Sequence, residues 1–279
     1  MRFTKMEGCG NDYIYINCLE ETVEQPEKLA IAMSERHFGV GADGLVLILP
    51  SETGDFRMRM FNLDGSEGEM CGNAVRCIGK YVYERGLTQK ETIRLETAGG
   101  MKILQLHIAE GKVETVTVDM GAPILEAEKI PVVSGKMPVI GERVQILDRT
   151  FDFTCVSMGN PHGVCFVENV AEYPVEKYGR AAECHPIFPN KANIEFIEIL
   201  DRGHIKMRVW ERGSGETWAC GTGASAAAVA CILNGLTDRR VEVALIGGTL
   251  TIEWREADGH IYMTGPAAFS FDGVWLKEV

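Results

Sequence analysis

The chain has 279 residues, of which 46% are hydrophobic and 24% are charged, a globular composition with room for two domains. Its formal net charge of -12 and the lack of a basic tract argue against nucleic acid as a partner. It has no apolar run of about 18 residues and no signal-peptide pattern at its start, so neither a membrane span nor export is expected. We therefore predict a cytoplasmic protein.

Cysteine usage bears on the compartment and on metal binding. The chain has nine cysteines, an odd number, and no Cys-x-x-Cys pair. Reduced thiols in a cytosolic protein are therefore a better interpretation than a disulfide scaffold. The nearest pairs, Cys9 with Cys18 and Cys71 with Cys77, lack the spacing and the neighbouring histidines of a zinc site. The cysteine spacing therefore predicts no zinc site.

The first half of the chain is predicted to contain strands, two helices and a hairpin. The first helix starts at Pro26, because a proline fits the first turn of a helix. The second starts just after Cys71 and ends at Gly86, since glycine can adopt the left-handed cap. The β-type patterns are YIYIN, LVLIL, FRMRMF and the Gly-Gly hairpin IRLETAGGMKILQLHI.

The second half repeats this order. Helices are predicted from Pro174 and from just after Cys220 to Gly235. The last helix is nearly all small or apolar, which indicates burial on most sides; an ordinary interior helix against a flat sheet is the alternative that periodicity leaves open. The β-type patterns are VCFVEN, IEFIEIL, IKMRVW and the hairpin VEVALIGGTLTIEW.

The two halves also align in sequence. Cys71 aligns with Cys220, an offset of 149 residues, and the alignment around them needs no gap. A single long-period repeat indicates two homologous domains. We predict an α+β fold of two pseudosymmetric domains, each a curved, mostly antiparallel, barrel-like sheet wrapped around a central helix. The predicted domains are residues 1–119 plus 266–279, with the last segment returning as extra strands, and residues 120–265.

Cys71 and Cys220 each lie at a strand-to-helix junction and precede a glycine. The free amides of a helix N-terminus favour a thiolate and can also bind a carboxylate, so a lowered pKa is expected for both thiols. The two helix ends are expected to face each other across a cleft, with one sulfur on each side of a small carboxylate. Two like acid–base groups on opposite faces of a carbon suit the inversion of its configuration.

The other cysteines have a simpler interpretation. Cys9 lies in a Gly-x-Gly loop and is left undecided. A disulfide between Cys71 and Cys220 can form on oxidation and would be an inactivated form. The remaining six are predicted to be small buried hydrophobic residues: Cys18, Cys77, Cys155, Cys165, Cys184 and Cys231.

Five motifs in the chain resemble signatures of the diaminopimelate epimerase family, in that family's order and across essentially the whole chain. They are KMEGCGNDY, FNLDGSEGEMCGN, SMGNPHGV, ANIEF and ERGSGETWACGTGA. The resemblance implies an isomerase of two pseudosymmetric halves that works without pyridoxal phosphate or metal. It also implies interconversion of LL- and meso-diaminopimelate, a step toward lysine and cell-wall precursors, and so a small amino-dicarboxylate as substrate.

The resemblance also implies residue roles. In the LL-to-meso direction, Cys220 accepts the proton and Cys71 donates one, while His162 and Glu211 orient the α-amine and tune the thiols. One departure is Gly44, where some members carry a glutamine that contacts substrate. The implied substrate-binding residues are Asn11, Asn62, Gly72, Asn73, Asn160, Asn193, Glu211, Arg212, Gly221 and Thr222. Among these, Arg212 offers a fork-like cation for a second carboxylate.

Other functions remain open at this point. A proline-racemase-like enzyme shares the two-thiol logic, although the motifs fit the diaminopimelate pattern better. A non-catalytic carboxylate-binding or redox-sensing protein on the same scaffold would not need both cysteines for turnover. A pyridoxal-phosphate racemase would need a lysine in a Schiff-base setting, and no lysine stands out. The sequence does not fix the oligomeric state, with a homodimer as one option.

Overall fold

The computed structural model describes residues 1–277, so the last two positions of the predicted first domain, 278 and 279, lie outside the described residues. The chain divides into two compact units. One is Met1–Val118 together with the segment that begins at Gly265, and the other is Asp119–Thr264. Within residues 1–277, no helix is long and apolar enough to cross a membrane.

The first unit is built mainly from the N-terminal half of the chain. Its elements are β1 (Arg2–Gly8), β2 (Asn11–Asn17), α1 (Pro26–Ser34), β3 (Gly44–Leu49), β4 (Phe56–Asn62), β5 (Glu67–Gly68), α2 (Gly72–Glu84), β6 (Thr92–Thr97), β7 (Gly100–Ala109) and β8 (Lys112–Gly121).

The second unit contains the following elements, and one further strand returns to the first unit. They are β9 (Glu142–Ile146), β10 (Arg149–Ser157), β11 (Pro161–Phe166), α3 (Val175–Glu183), β12 (Asn193–Ile199), β13 (His204–Glu211), β14 (Gly215–Thr217), α4 (Gly221–Leu233), β15 (Arg240–Leu245), β16 (Gly248–Trp254) and β17 (Ile261–Pro266). The returning strand is β18 (Ala268–Val274), which pairs antiparallel with β1.

The strand order is the same in both units. In the first, the order is β18, β1, β2, β3, β4, β6, β7 and β8, with the short β5 also paired to β4. In the second, it is β9, β10, β11, β12, β13, β15, β16 and β17, with β14 also paired to β13. Each has two parallel pairs, and these fall at equivalent places: β2–β3 and β4–β6, then β11–β12 and β13–β15. The predicted α+β class with two repeated, mostly antiparallel units is confirmed.

The second unit wraps its sheet around α4. This helix contacts six consecutive strands, β10 to β13 with β15 and β16. A flat sheet would spread six strands over about 24 Å, more than a helix of about 10 Å diameter can touch. The sheet must therefore curve, and the flat-sheet alternative is wrong. In the first unit, α2 is likewise largely buried and contacts β1 and β7.

Both central helices end as predicted. The helix α2 stops at Glu84 and α4 at Leu233. Gly86 and Gly235 follow with φ values of 72° and 71°, the left-handed conformation that glycine adopts without steric cost.

The other face of each sheet is covered by a shorter helix. In the first unit, α1 buries Leu29 and Met33 in a core that includes Ile14 and Leu45, and α3 packs against β12 and β13 in the second. Because side chains alternate along a strand, the inner positions of β2 and β12 are left for the central helices. Tyr13 on β2 and Glu195 on β12, discussed below, occupy such positions.

Several local predictions need correction. The third helix begins at Val175, with Pro174 as its N-cap rather than its first residue. Cys184 is exposed because it lies at the C-terminal cap of α3, and Cys18 is only half-buried. The strand β11 begins at Pro161, ahead of the VCFVEN pattern, because Pro161 pairs with Ser157 of β10.

Candidate active site

Cys71 and Cys220 occupy matching backbone positions. Each is the N-cap of its central helix, with φ and ψ of -130° and 122° at Cys71 and of -129° and 110° at Cys220. The first amides of an α-helix have no partner within the helix, so both helix starts can bind an anion. The sequence prediction of two cysteines at equivalent helix starts is confirmed.

Around Cys71, amide side chains form a fixed set. The Cys71 Sγ lies 3.4 Å from Oδ1 of Asn11, and Nδ2 of Asn73 donates to the same oxygen at 3.3 Å. At its other end, Asn11 donates from Nδ2 to Asp43 at 2.8 Å. Asp43 therefore holds the Asn11 amide with its oxygen toward Cys71.

A buried arginine braces the first turn of α2. Arg76 is fully buried and donates to Oδ1 of Asn73 at 2.7 Å and to the Gly72 carbonyl at 3.1 Å. Its Nε also donates to the carbonyl of Pro266 at 3.0 Å. These bonds fix the peptide segment that the resemblance assigns to the substrate carboxylate.

Tyr13 lies beside Cys71 on the inner face of β2. Burial, and then the proximity of Cys71 and Asp43, raise the pKa of this phenol well above its ordinary range. The hydroxyl of Tyr13 therefore stays protonated and remains a hydrogen-bond donor.

Around Cys220, the hydrogen-bond contacts of the sulfur are with its own helix, and that helix in turn is bonded by Asn160, which directly precedes β11. The amide of Gly223 donates to Cys220 Sγ at 3.4 Å, and the Thr222 hydroxyl oxygen lies 3.5 Å from that sulfur. Asn160 donates from Nδ2 to the Thr222 oxygen at 3.3 Å. Asn160, Thr222 and Cys220 are thus brought together, as Asn11, Asn73 and Cys71 are in the first unit.

His162 links this group to a buried carboxyl group. Its Nε2 lies 2.9 Å from Oδ1 of Asn160, and its Nδ1 lies 2.7 Å from Oε1 of Glu195. Both His162 and Glu195 are fully buried. Burial raises the pKa of Glu195, and the neighbouring His162 opposes that rise.

The prediction of a lowered pKa is wrong for Cys220. Burial is the largest effect on this thiol, followed by the carboxyl groups of Glu211 and Glu195, and together they raise its pKa well above the ordinary value. The donors Thr222 and Gly223 act in the expected direction but are outweighed. The helix-terminus argument omitted the cost of burying a thiolate next to acidic groups.

Asn193, Glu211 and Arg212 meet where β12 and β13 lie side by side. Asn193 accepts from the Arg212 amide at 2.9 Å and donates to the Pro161 carbonyl at 3.0 Å. Glu211 accepts a hydrogen bond from Thr217. The Arg212 side chain is exposed and donates to the carbonyl of Asn190 at 3.2 Å, so its fork can reach a ligand in solution.

Asn62 and Gly44 are neighbours across β3 and β4. Asn62 donates to the Ser66 hydroxyl at 3.0 Å within the turn that follows β4, so among the described residues its side chain bonds within this turn and not to the Cys71 group. A Cβ atom on Gly44 would overlap the carbonyl oxygen of Phe61. A side chain at this position, such as the glutamine named with the resemblance, therefore does not fit this backbone without a shift.

Sequence reasoning missed four residues that shape these groups. Glu195 lies in the quoted motif ANIEF, and its signal was a carboxylate at an inward position of an apolar strand. The signal for Arg76 was a charged side chain among the buried residues of a helix. Tyr13 and Asp43 had no feature that set them apart from other strand and loop residues. Over residues 1–277, no group of three or more His, Cys, Asp or Glu side chains could hold a metal ion.

Comparison with known sequences gives extensive matches. A sequence model of the family described as diaminopimelate epimerase matches residues 3–126 and 154–270. The diaminopimelate epimerase of Acetivibrio thermocellus is 59% identical over 273 residues, which cover 98% of each chain. That of Methanococcus maripaludis is 57% identical over 98% of this chain and 99% of the relative.

Solved structures share the fold at low sequence identity. A phenazine biosynthesis protein of Bacillus anthracis matches with a TM-score of 0.70 and 21% identity over 99% of both chains. A probable proline racemase of Agrobacterium radiobacter, determined with bound carbonate, matches with a TM-score of 0.74 and 14% identity, covering 99% of this chain and 93% of that one. At these identities the likeness concerns the fold alone.

Proposed function

The chain belongs to the diaminopimelate epimerase family, and on that premise we propose that Cys71 and Cys220 are the acid–base pair of the reaction. The protein is an isomerase that epimerises diaminopimelate in lysine biosynthesis. The observation that carries the residue assignment is the matching backbone of the two cysteines at the starts of α2 and α4.

The proposed reaction exchanges one proton at the α-carbon for another. In the LL-to-meso direction, the Cys220 thiolate takes the α-proton and becomes a thiol. The Cys71 thiol then gives its proton to the opposite face of the carbanion and becomes a thiolate. The two groups are of the same kind because the reverse reaction exchanges their roles.

The carbanion is the high-energy species, and its charge spreads onto the substrate carboxylate. We propose that this carboxylate is bound by the helix-start amides of Gly72 and Asn73 and of Gly221 and Thr222. Such fixed donors stabilise charge that develops in the transition state without having to reorganise. The bonds from Arg76 to the α2 start support this role, because they limit movement of that turn.

The remaining predicted residues are proposed to hold the rest of the substrate. His162 and Glu211 orient the α-ammonium group, with Glu211 as the charged partner. The residues proposed to bind elsewhere on the substrate are Asn11, Asn62, Asn160, Asn193 and Arg212. The exposed Arg212 fork suits the distant carboxylate, which it can bind through two parallel hydrogen bonds.

The proposal is tested by epimerisation of LL-diaminopimelate in deuterated water, with purified protein and no added cofactor. The wild type should form meso-diaminopimelate with deuterium at the inverted carbon. Cys71→Ala and Cys220→Ala should each abolish turnover while the folded structure, followed by circular dichroism, is kept. Cys184→Ala, at an exposed position, is the matched control and should keep wild-type turnover.

The outcomes separate the competing functions. Near-wild-type turnover by either folded single variant would remove the two-base mechanism. Binding without turnover by the wild type would favour the non-catalytic carboxylate-binding protein. Turnover of proline in place of diaminopimelate would favour the proline-racemase-like alternative.

Compartment and assembly belong to the same proposal. A cytoplasmic location is supported by the cysteine usage of the sequence, nine residues with no Cys-x-x-Cys pair. A homodimer stays a prediction, which sedimentation of the purified protein would test, and neither nucleic acid nor a membrane surface is proposed as a partner.

A further inference from the structure

A chain of hydrogen bonds in the second unit runs from a buried carboxyl group to the Cys220 sulfur. Its first link joins Oε1 of Glu195 to Nδ1 of His162 over 2.7 Å, and its second joins Nε2 of His162 to Oδ1 of Asn160 over 2.9 Å. It continues from Asn160 to Thr222 over 3.3 Å, and the Thr222 oxygen lies 3.5 Å from Sγ. Of the five residues, only Glu195 has no part in the proposed function.

We propose that Glu195 is a positioning residue that fixes the direction of this chain, so that the Thr222 hydroxyl donates its hydrogen bond to the Cys220 sulfur. A bond donated to sulfur stabilises the thiolate, which is the form in which Cys220 accepts the α-proton. The inference rests on the proposed acid–base role of Cys220.

The direction depends on how many protons the Glu195–His162 pair holds. When the pair holds two protons, one proton lies between Oε1 of Glu195 and Nδ1 of His162, and the other lies on Nε2 of His162. Nε2 then donates to Oδ1 of Asn160, Nδ2 of Asn160 donates to Thr222, and the Thr222 proton is left for sulfur. The structure places Oδ1 of Asn160 toward Nε2 of His162 and Nδ2 toward Thr222, which is the orientation that this direction requires.

With a single proton, on Nδ1, the opposite direction follows. Nε2 of His162 becomes an acceptor, so the Asn160 amide turns over and donates to it. The Asn160 oxygen then faces Thr222 and takes the hydroxyl proton that would otherwise point to Cys220. The protonation of the Glu195 carboxyl group thus decides whether the Thr222 hydroxyl donates to the Cys220 sulfur, although His162 and Asn160 lie between Glu195 and Thr222.

The surroundings of Glu195 favour the two-proton state. Both members of the pair are fully buried, and Oε2 of Glu195 has no hydrogen-bond partner among the described residues. An unpartnered oxygen in a dry site costs less on a neutral carboxylic acid than on a carboxylate. The raised pKa of Glu195 agrees with this.

The titratable neighbours act in the same direction. Glu211 further raises the pKa of Glu195, because a second carboxylate disfavours charge on the first. The titratable groups that interact with Glu195 from the elements packed against it are Cys155 on β10, His162 and Cys165 on β11, Glu211 on β13 and Cys220 at the start of α4.

The test measures the rate at which iodoacetamide alkylates Cys220 near pH 8, resolved by peptide mass spectrometry, in protein without substrate. Glu195→Gln removes the carboxyl group and leaves an amide that can bond Nδ1 in either direction. We expect alkylation of Cys220 to slow by about threefold to tenfold. In a Thr222→Val background the same change should have no effect, because the donor it acts through is gone.

Two results of this experiment would overturn the inference. An ionised Glu195 would raise the pKa of the Cys220 thiol, an effect that is absent in the two-proton state. Glu195→Gln would then speed alkylation, and that outcome overturns the inference. An equal slowing with and without the Thr222 hydroxyl overturns it as well. Glu198→Gln, on the same strand, is the matched control and should leave the Cys220 rate unchanged.

A measurement on the wild type guards against a variant that fails to fold. In protein labelled with ¹⁵N-histidine, the His162 signals are identified by their loss in His162→Gln. Nε2 should carry a proton at neutral pH, and an unprotonated Nε2 overturns the inference. Neither readout uses diaminopimelate, so failure of the wild type to epimerise would remove the proposed function and leave these results interpretable.

Discussion

At the scale of single residues, the contrast between the two cysteines lies in what surrounds them. The backbone around Cys71 and Cys220 is nearly the same. Cys71, however, has amide neighbours, Asn11 and Asn73, whereas Cys220 is buried next to two carboxyl groups. A thiol in such a place gives up its proton more readily when a positive charge is brought close, and we propose that the substrate α-ammonium group supplies one.

Replacing Glu211 should make Cys220 more reactive. Glu211→Gln removes a carboxylate and so lowers the pKa of the Cys220 thiol, whose rise is caused first by burial and next by this residue. Below the pKa, each unit of lowering should speed alkylation by about threefold, because the gain in thiolate exceeds the loss in nucleophilicity. The measurement is the pH dependence of Cys220 alkylation by mass spectrometry.

The matched control for this prediction is Glu216→Gln. Glu216 is an exposed carboxylate on β14 that pairs with Arg208 rather than with the Cys220 group. It should leave the alkylation rate unchanged. A slower rate in Glu211→Gln would mean that the carboxylate stabilises the thiolate by an indirect hydrogen bond.

At the scale of elements, the first turn of α4 must pack closely against β12. A Cβ atom on Gly223 would lie 2.8 Å from Oε1 of Glu195 and 3.2 Å from Sγ of Cys220. An alanine normally stabilises a helix interior by about 1 kcal/mol relative to glycine. Here the overlap should outweigh that gain.

We expect Gly223→Ala to lower kcat/KM by about tenfold or more, since it displaces the thiol and the buried carboxyl group together. Denaturant unfolding should show a loss of about 1–3 kcal/mol. Gly79→Ala in α2 is the matched control, because its Cβ would meet a flexible methyl group of Leu106 at 3.0 Å. Equal losses in both variants would show that glycine at these positions serves the helices and not the site.

The sequence predicts the elements best where a local signal is strong. Pro26 and the glycines Gly86 and Gly235 mark helix ends through their own backbone preferences, and the structure agrees. The strand patterns in the sequence do not include β1, β5, β8, β9, β10, β14 and β17, because the form of these strands depends on pairing with other strands. The bond between Glu195 and His162 was missed for the same reason, since it joins two strands that are adjacent only after folding.

At the scale of the whole molecule, the two halves of the duplication have the same backbone at the starts of α2 and α4 but different charged side chains around them. At the offset of 149, several residues near the two cysteines align with residues of different charge or polarity. The aligned pairs are Tyr13 with His162, Val46 with Glu195, Asn62 with Glu211 and Arg76 with Ser225. The equivalent helix starts therefore lie in different electrostatic surroundings. A repeat of two similar halves can in this way surround its two equivalent cysteines with different charged groups without any change of fold.

Buried thiols in both units also make the stability of the molecule depend on alkaline pH. Burial raises the pKa of each of these groups, to about 12 for Cys77 and for Cys231. The deeply buried thiols with raised pKa values are Cys77, Cys155, Cys165, Cys220 and Cys231. In the unfolded chain a cysteine ionises near pH 8.5.

Above pH 8.5 the unfolded chain therefore releases protons that the folded chain keeps, and the free energy of unfolding must fall as pH rises toward the folded pKa values. Each such thiol should lower it by about 2 kcal/mol between pH 7 and pH 10. Denaturant unfolding of the reduced protein, followed by tryptophan fluorescence, should show this fall. Cys231→Ala should reduce the fall by the share of one thiol, whereas the exposed Cys184→Ala should leave it as in the wild type. A free energy of unfolding that stays constant from pH 7 to pH 10 would contradict the prediction, because it would require these thiols to be as accessible to water in the folded protein as in the unfolded one.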